Sequence, residues 1–442
     1  MQPSRVSLED VPLNRFHQLL TLRSLGGAFV DGYVLSVVGI IIIQLSRDLQ
    51  LDSFWEGLTA AASLIGIFIG GLMGGWLTNQ FGRKRVFYIS PIIFIIASIL
   101  QFYVESSHSM VALRLVVGIA VGIEYPVATA LLVEFLPSKS RGPRIAAIAT
   151  SWFAGAAFAY VVGELILRIG GDSAWRWVLA SGGVMGAALL AVRLGTPESP
   201  RWLLSRGRDD EAEHIIKRIY GSNFGLHNLP VDSNEVALSF KDLVWSGYGK
   251  RLLFVVTFWT CAIIPIFAVY AFAPKVLAAL KIDAETGSLG SVAITMFFVA
   301  GCILATRTLN VLGRRTVLLS SFIVSSIALI GLGYFPVGNS AVVLILFSLY
   351  ALFIGGAQVL TLVYPNEIFP TELRPMAVGI GTAFSRIGAA VGTYLVPLSL
   401  NGIGIAQTMY AAAGITLVGL VCAWFMAPET RSLSLQEATS LN

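Results

Sequence analysis

Charge is what this chain lacks. Only 12% of its 442 residues are Asp, Glu, Lys or Arg, against 56% hydrophobic. A soluble domain carries about a quarter charged residues, so there is too little polar surface here to face water on every side. Cysteine is scarce as well. Cys261, Cys302 and Cys422 all fall inside apolar runs, and an odd number placed so excludes a disulfide framework and offers no metal-ligand spacing. No nucleophile–base pair, metal-ligand cluster or phosphate-cradling loop stands out, so neither an enzyme nor a cofactor is expected. No Asn-x-Ser/Thr sequon occurs. The first apolar run is too long for a cleavable leader and lacks a small-residue cleavage pattern, so it reads as an uncleaved anchor.

What fills the chain instead is a series of apolar runs, each long enough to cross a hydrocarbon core, which takes roughly 20 helical residues. Mean hydropathy is +0.78. We read twelve spans: 22–45, 58–78, 86–104, 110–133, 145–167, 177–194, 252–273, 289–309, 317–335, 342–363, 377–398 and 406–425. This predicts an all-α membrane protein. One connection is long and polar, which divides the chain into a six-span unit over 1–194, a linker over 195–250 and a second six-span unit over 251–442. Between Trp202 and Tyr220 apolar residues recur at helical spacing among charges, which predicts one short amphipathic helix on the membrane surface.

The net charge of +5 does not call for nucleic acid, because of where the basic residues fall. Arg5, Arg15, Arg23, Arg83, Lys84, Arg85, Lys139, Arg141, Arg144, Arg307, Arg314, Arg315, Arg374, Arg431 and the nine basic residues from Arg193 to Arg251 share one side. Arg47, Arg168, Arg176, Lys275 and Lys281 take the other. That asymmetry places the first set, both termini and the linker in the cytoplasm.

The two halves repeat. Gly82-Arg83-Lys84 recurs as Gly313-Arg314-Arg315. Glu134, Pro137 and Arg141 recur as Glu367, Pro370 and Arg374, and Pro197-Glu198 recurs as Pro428-Glu429. The order is kept and the offset stays within two residues, which implies two parallel six-helix bundles about an axis along the membrane normal. A solute site is then expected between them near the midplane. At the cytoplasmic helix ends Arg83, Arg85, Arg141, Arg314 and Arg374 can meet Glu134, Glu198, Glu367 and Glu429. Ion pairs between the bundles would latch the outward-open state of a transporter and break when the inner gate opens; a purely topological role is the plainer alternative, favoured for Lys84 and Lys139.

The stretches "GGWLTNQFGRKR", "VEFLPSKSRG", "PESPRWLLSRGR", "NEIFPTELRP" and "APETRSLSL" resemble the sugar-porter and organic-ion branch of the major facilitator superfamily, over nearly the whole chain. "DGY" in span 1, "SKSRG" and "SRIG" in span 11 resemble bacterial metabolite:proton symporters similar to niacin and aromatic-acid porters. The resemblance implies alternating-access transport of a small solute through an inner membrane. Where sugar porters carry paired glutamines and an asparagine in span 7, this chain has Cys261, Ala262 and Phe267, and their span-10 tryptophan is Leu362. A hexose held in that manner would leave its hydroxyls unpaired, at about 1–3 kcal/mol for each buried group.

Four charges stand well inside spans, where each is costly and a functional candidate: Asp31, Arg114, Glu124 and Arg386. Asp31 and Glu124 come at a similar depth from opposite directions, so the two carboxylates are candidates to share a coupling proton. Arg114 resembles the span-4 arginine that partners the coupling aspartate in proton-linked sugar porters; that aspartate aligns with Val34, one turn beyond Asp31. Arg386 offers a planar fork for a substrate carboxylate, and "SRIG" resembles the arginine of organic-anion porters. The alternative is a permanent salt bridge to Asp31 or Glu124. Trp259 and Gln358 are further candidates to contact solute, while Glu164 and Arg168 read as a local pair. Together these predict proton-coupled symport of a small organic acid by a monomer in a lipid bilayer. Uniport or symport of a neutral sugar or polyol, efflux of an amphiphile, and a transporter-like sensor are the competing readings.

Overall fold

The computed structural model describes residues 8, 11–229, 247–279, 284–335, 340–369 and 373–431. Among the described residues, twelve long helices carry the fold. The first six are α1 (Arg15–Asp48), α2 (Ser53–Phe81), α3 (Arg83–Phe102), α4 (Ser107–Phe135), α5 (Ser138–Gly170) and α6 (Ala174–Arg193). Two short helices follow, α7 (Pro200–Ser205) and α8 (Asp209–Tyr220). The second six are α9 (Gly249–Ala279), α10 (Ala284–Leu312), α11 (Arg314–Tyr334), α12 (Ser340–Ile368), α13 (Arg374–Gly402) and α14 (Ile405–Met426). Among the described residues eleven stretches are long and apolar enough to span a membrane, and one of them, Ala147–Arg193, is 47 residues long and runs from within α5 through α6. Each span read from sequence therefore has its helix.

Inside each bundle, glycine sets the closest approach. Gly66 and Gly70 of α2 face the backbone of Leu115 and Ile119, and Gly118 and Gly122 of α4 face Ser63 and Ile67. A Cβ at any of these would run into main chain, so the two helices touch along their backbones. The second bundle copies the device: Gly301 of α10 faces the Leu352 carbonyl and Gly355 of α12 faces Gly301 and Cys302. Gly301 and Gly355 follow Gly70 and Gly122 by 231 and 233 residues, which carries the repeat into the packing.

The bundles meet at mid-height and at the end away from the arginine-rich loops. Phe153 of α5 stacks on Phe298 of α10, centroids 5.9 Å apart. At the far end Glu56 of α2 pairs with Lys275 of α9, Asn401 of α13 donates to Ser53, and Gly57 lies against the Tyr394 carbonyl. That end is closed across the bundle interface.

The linker departs from expectation. Two helices stand where one was predicted, because Gly207 adopts a left-handed φ of 68° and the acidic run Asp209, Asp210, Glu211 favours a fresh helix start. Both helices dock on the first bundle. Trp202 Nε1 donates to the Asn79 carbonyl at 2.8 Å, and the Tyr220 hydroxyl to that of Phe135 at 2.9 Å. Asn14 Nδ2 donates to the Ile219 carbonyl at 3.0 Å.

Candidate functional site

Asp31 sits at the middle of α1 and is fully buried. Neither carboxylate oxygen has a hydrogen-bond partner. Its charged surroundings are Glu124 of α4, Arg193 of α6 and Arg386 of α13. The expected approach of Asp31 and Glu124 is therefore present, but the two carboxylates are not alike. Glu124 is clamped: Arg193 pairs with both its oxygens, one of them at 2.9 Å, and Ser90 of α3 donates to it as well. Arg193 also donates to the Phe87 carbonyl at 2.6 Å and lies flat over the Phe87 ring, 3.6 Å from its centroid. Gly27, one turn before Asp31, is glycine because a Cβ there would strike the Glu124–Arg193 pair.

Arg193 is the functional residue that sequence reasoning missed. It was counted among the linker's basic residues, since it ends an apolar run three residues before Thr196-Pro197, yet it is wholly buried. A signal was available in the repeat. At an offset of 231 its counterpart is Trp424, and at 233 that of Glu124 is Ala357. Charges present in one half only cannot serve the shared architecture. Arg23, also read as a loop charge, is buried and ties α1 to the end of α6 through the carbonyls of Val192 and Leu194, at 2.9 and 2.6 Å.

Arg114 does not pair with Asp31. It is buried and donates to the Val34 carbonyl at 3.0 Å, which braces α4 against α1 at the very residue where the family aspartate aligns. Arg386 lies two residues from the midpoint of α13, half-buried, between the rings of Tyr125 (5.9 Å) and Phe267 (5.3 Å). Among the described residues it has no salt bridge, and its Nε is buried without a partner. The permanent pairing to Asp31 or Glu124 is thus not formed. Trp259 is buried beneath Gly381 with its Nε1 unpartnered, and Gln358 of α12 is half-buried with its Oε1 unpartnered. Beside Arg386, a small cleft between the bundles is lined by Ser36, Ser63, Trp152, Phe267 and Thr393 among others. Tyr364 is occupied elsewhere, donating to the Pro428 carbonyl at 3.0 Å.

Two pairs of charges at the loop ends close, one within each bundle. Arg83 holds Glu134 through Nε and Nη2, at 3.0 and 2.9 Å, and Arg314 holds Glu367 at 2.9 Å. Because the opposite end is closed in this structure, an inter-bundle latch of the outward-open state is not tested by these pairs. Glu198 and Glu429 do something else again. Glu198 accepts from the backbone N–H of Arg83 at 2.8 Å and Lys84 at 3.1 Å, and Glu429 from Arg314 at 2.9 Å and Arg315 at 3.1 Å. They cap α3 and α11, whose entry glycines, at φ 93° and 90°, bring no side-chain cap of their own. Arg85 is exposed and makes no ion pair among the described residues. Arg374 Nε donates to the Phe369 carbonyl at 2.8 Å. The Arg141 side chain and Pro370 lie outside the described residues. Glu164 and Arg168 form the local pair expected, at 2.7 Å.

A buried carboxylate without a hydrogen bond and a guanidinium beside Tyr125 that has no salt bridge among the described residues, between two pseudo-equivalent bundles, is a transporter's arrangement, and the profile of the family described as sugar (and other) transporter matches residues 19–441. The chain belongs to that family. This sugar-porter-type protein of the major facilitator superfamily is a transporter and not an enzyme. It is 37% identical to YaaU of Escherichia coli K12, over 100% of this chain and 98% of the relative. It is 36% identical to the inner membrane metabolite transport protein YgcS of the same organism, over 99% and 97%. Its fold is similar to a partially occluded inward-open conformation of the xylose transporter XylE from E. coli, with a TM-score of 0.78, 21% identity, and 94% and 100% of the two chains covered.

Proposed function

We propose that this transporter couples inward proton movement to uptake of a small organic acid by alternating access. One observation carries the reading: Asp31 is fully buried at the middle of α1 with both oxygens unpartnered, while Arg193, beside it, is committed to Glu124. A bare carboxylate in that setting is expensive, and a proton removes the cost. Asp31 is the proton carrier. Glu124 contributes negative potential that its clamp only partly offsets, and Arg114 holds α1 in register through Val34. Arg386, free of a salt bridge and facing the interface, receives the substrate carboxylate as a planar fork. Trp259 and Gln358 border the path with unspent donors and acceptors.

The cycle follows. With the Glu56–Lys275 end closed, solute and proton exchange through the arginine-rich end, which we assign to the cytoplasm of an inner membrane on the charge asymmetry. The clamps Arg83–Glu134 and Arg314–Glu367, the caps Glu198 and Glu429, and the Arg374 contact to the Phe369 carbonyl keep each bundle end rigid, so that the bundles rock as bodies. The chain works as a monomer. Uptake into proteoliposomes under a controlled pH gradient tests the coupling: accumulation should follow an inward gradient and vanish when it is collapsed. Accumulation that ignores the gradient overturns symport and leaves facilitated diffusion.

A further inference from the structure

We infer that the site takes a monovalent carboxylate together with one proton, so that the pair crosses the membrane without net charge and a dicarboxylate is refused. This rests on the proposal that Asp31 carries the proton and Arg386 holds the carboxylate. Asp31 of α1, Glu124 of α4, Arg193 of α6 and Arg386 of α13 form one charged group, with the phenol of Tyr125 among them. Two of the four cancel permanently. Glu124 and Arg193 are buried and paired, with Ser90 donating to the first and the Phe87 carbonyl accepting from the second. Gly27 lies against that pair, one turn along α1 from Asp31, so the closed pair and the open carboxylate share a face of the helix. Tyr125, next in the chain to Glu124, has the Arg386 guanidinium 5.9 Å from its ring centre. The second bundle's cation therefore reaches the same region.

What is left is one carboxylate and one guanidinium, drawn from opposite bundles. Among the described residues neither is in a salt bridge, and both oxygens of Asp31 are buried without a partner. Their charges balance while Asp31 is ionised. A buried region of low dielectric opposes a change in its net charge. A solute anion at Arg386 with Asp31 still ionised leaves one negative charge unmatched, and a proton alone leaves Arg386 unmatched. Adding both keeps the balance. Ionised Asp31 is thus a tethered rival of the solute for Arg386, and the proton removes the rivalry. A second carboxylate would find no second cation. Arg193 is committed, and Arg114, which donates to the Val34 carbonyl, stands ten residues, about 15 Å, along α4 from Glu124.

Titration calorimetry of the purified full-length protein, in buffers of different ionisation enthalpy, counts the protons taken up with each anion. Benzoate, hexanoate and gluconate are the monocarboxylate probes. Terephthalate, adipate and glucarate are their dicarboxylate counterparts, and benzamide, hexanamide and gluconamide their neutral ones. Between about pH 6 and pH 10, proton uptake with the tightest monocarboxylate should rise towards one, its affinity then falling about tenfold per pH unit. Its dicarboxylate counterpart should bind at least tenfold more weakly. Asp31→Asn should bind the same monocarboxylate with no proton uptake and no such fall. In proteoliposomes at a fixed pH gradient, a potassium potential set with valinomycin should leave the uptake rate unchanged. No proton uptake at any pH, equal binding of the dicarboxylate, or uptake that follows the potential overturns this inference and leaves the acid reading standing. Proton uptake that persists in Asp31→Asn, or binding lost there, overturns it too. A neutral amide binding as tightly as its acid, or no monocarboxylate binding, overturns the Arg386 reading and this inference with it.

Discussion

Asp31 and Arg193 show how far one charge's meaning depends on its neighbour. Asp31→Asn removes the exchangeable proton while preserving shape, so gradient-driven accumulation should be lost and counterflow exchange should persist; equal loss of both would show that Asp31 is structural. Arg386→Lys keeps the charge but not the fork, and should weaken an acidic solute at least tenfold in a binding titration. For Arg193→Met the expected readout is stability. Leaving Glu124 buried without its cation should cost about 3–5 kcal/mol, and adding Glu124→Leu should recover most of it, seen as a fall and rise in Tm. Asp31, Glu124, Arg114 and Arg386 were legible in the sequence because charge is rare in apolar runs. Arg193 was not, since a basic residue at a run's edge looks like a topology signal until its burial is seen.

Between elements, the contact with most leverage is Glu56–Lys275, an ion pair joining α2 to α9 across the interface. Lys275→Ala should free the far end to open. A cysteine placed at Ser53, beside Asn401, should then react faster with a water-soluble maleimide than in the parent. An unchanged labelling rate would show that the Gly57–Tyr394 contact alone holds that end shut. The amino-acid pattern did not point to this pair, because Glu56 and Lys275 lie 219 positions apart and at opposite helix ends. By contrast, the Arg–Glu clamps were legible as to partners, because Arg and Glu repeat at the same helix ends in both halves. The capping roles of Glu198 and Glu429 were hidden because a backbone N–H leaves no mark in composition.

At the scale of the molecule, the helix count and the pseudo-symmetry were legible, since length and hydropathy decide the first and repeated loop signatures the second. The broken linker helix was not, because a single glycine at positive φ decides it. Topology remains to be measured: epitopes at residues 1 and 442 and within the linker should all be accessible from the cytoplasm, and a periplasmic result for any one would overturn the assigned orientation. The clamps within each bundle carry one more consequence. Arg83–Glu134 and the α7–α8 segment complete the first bundle, and Arg314–Glu367 with the Glu429 cap completes the second, so each of these struts is drawn from a single half. The covalent link is then a matter of bookkeeping for the cell and not of architecture for the fold. Two separately translated polypeptides, cut between α8 and α9, should find each other in the membrane and restore uptake.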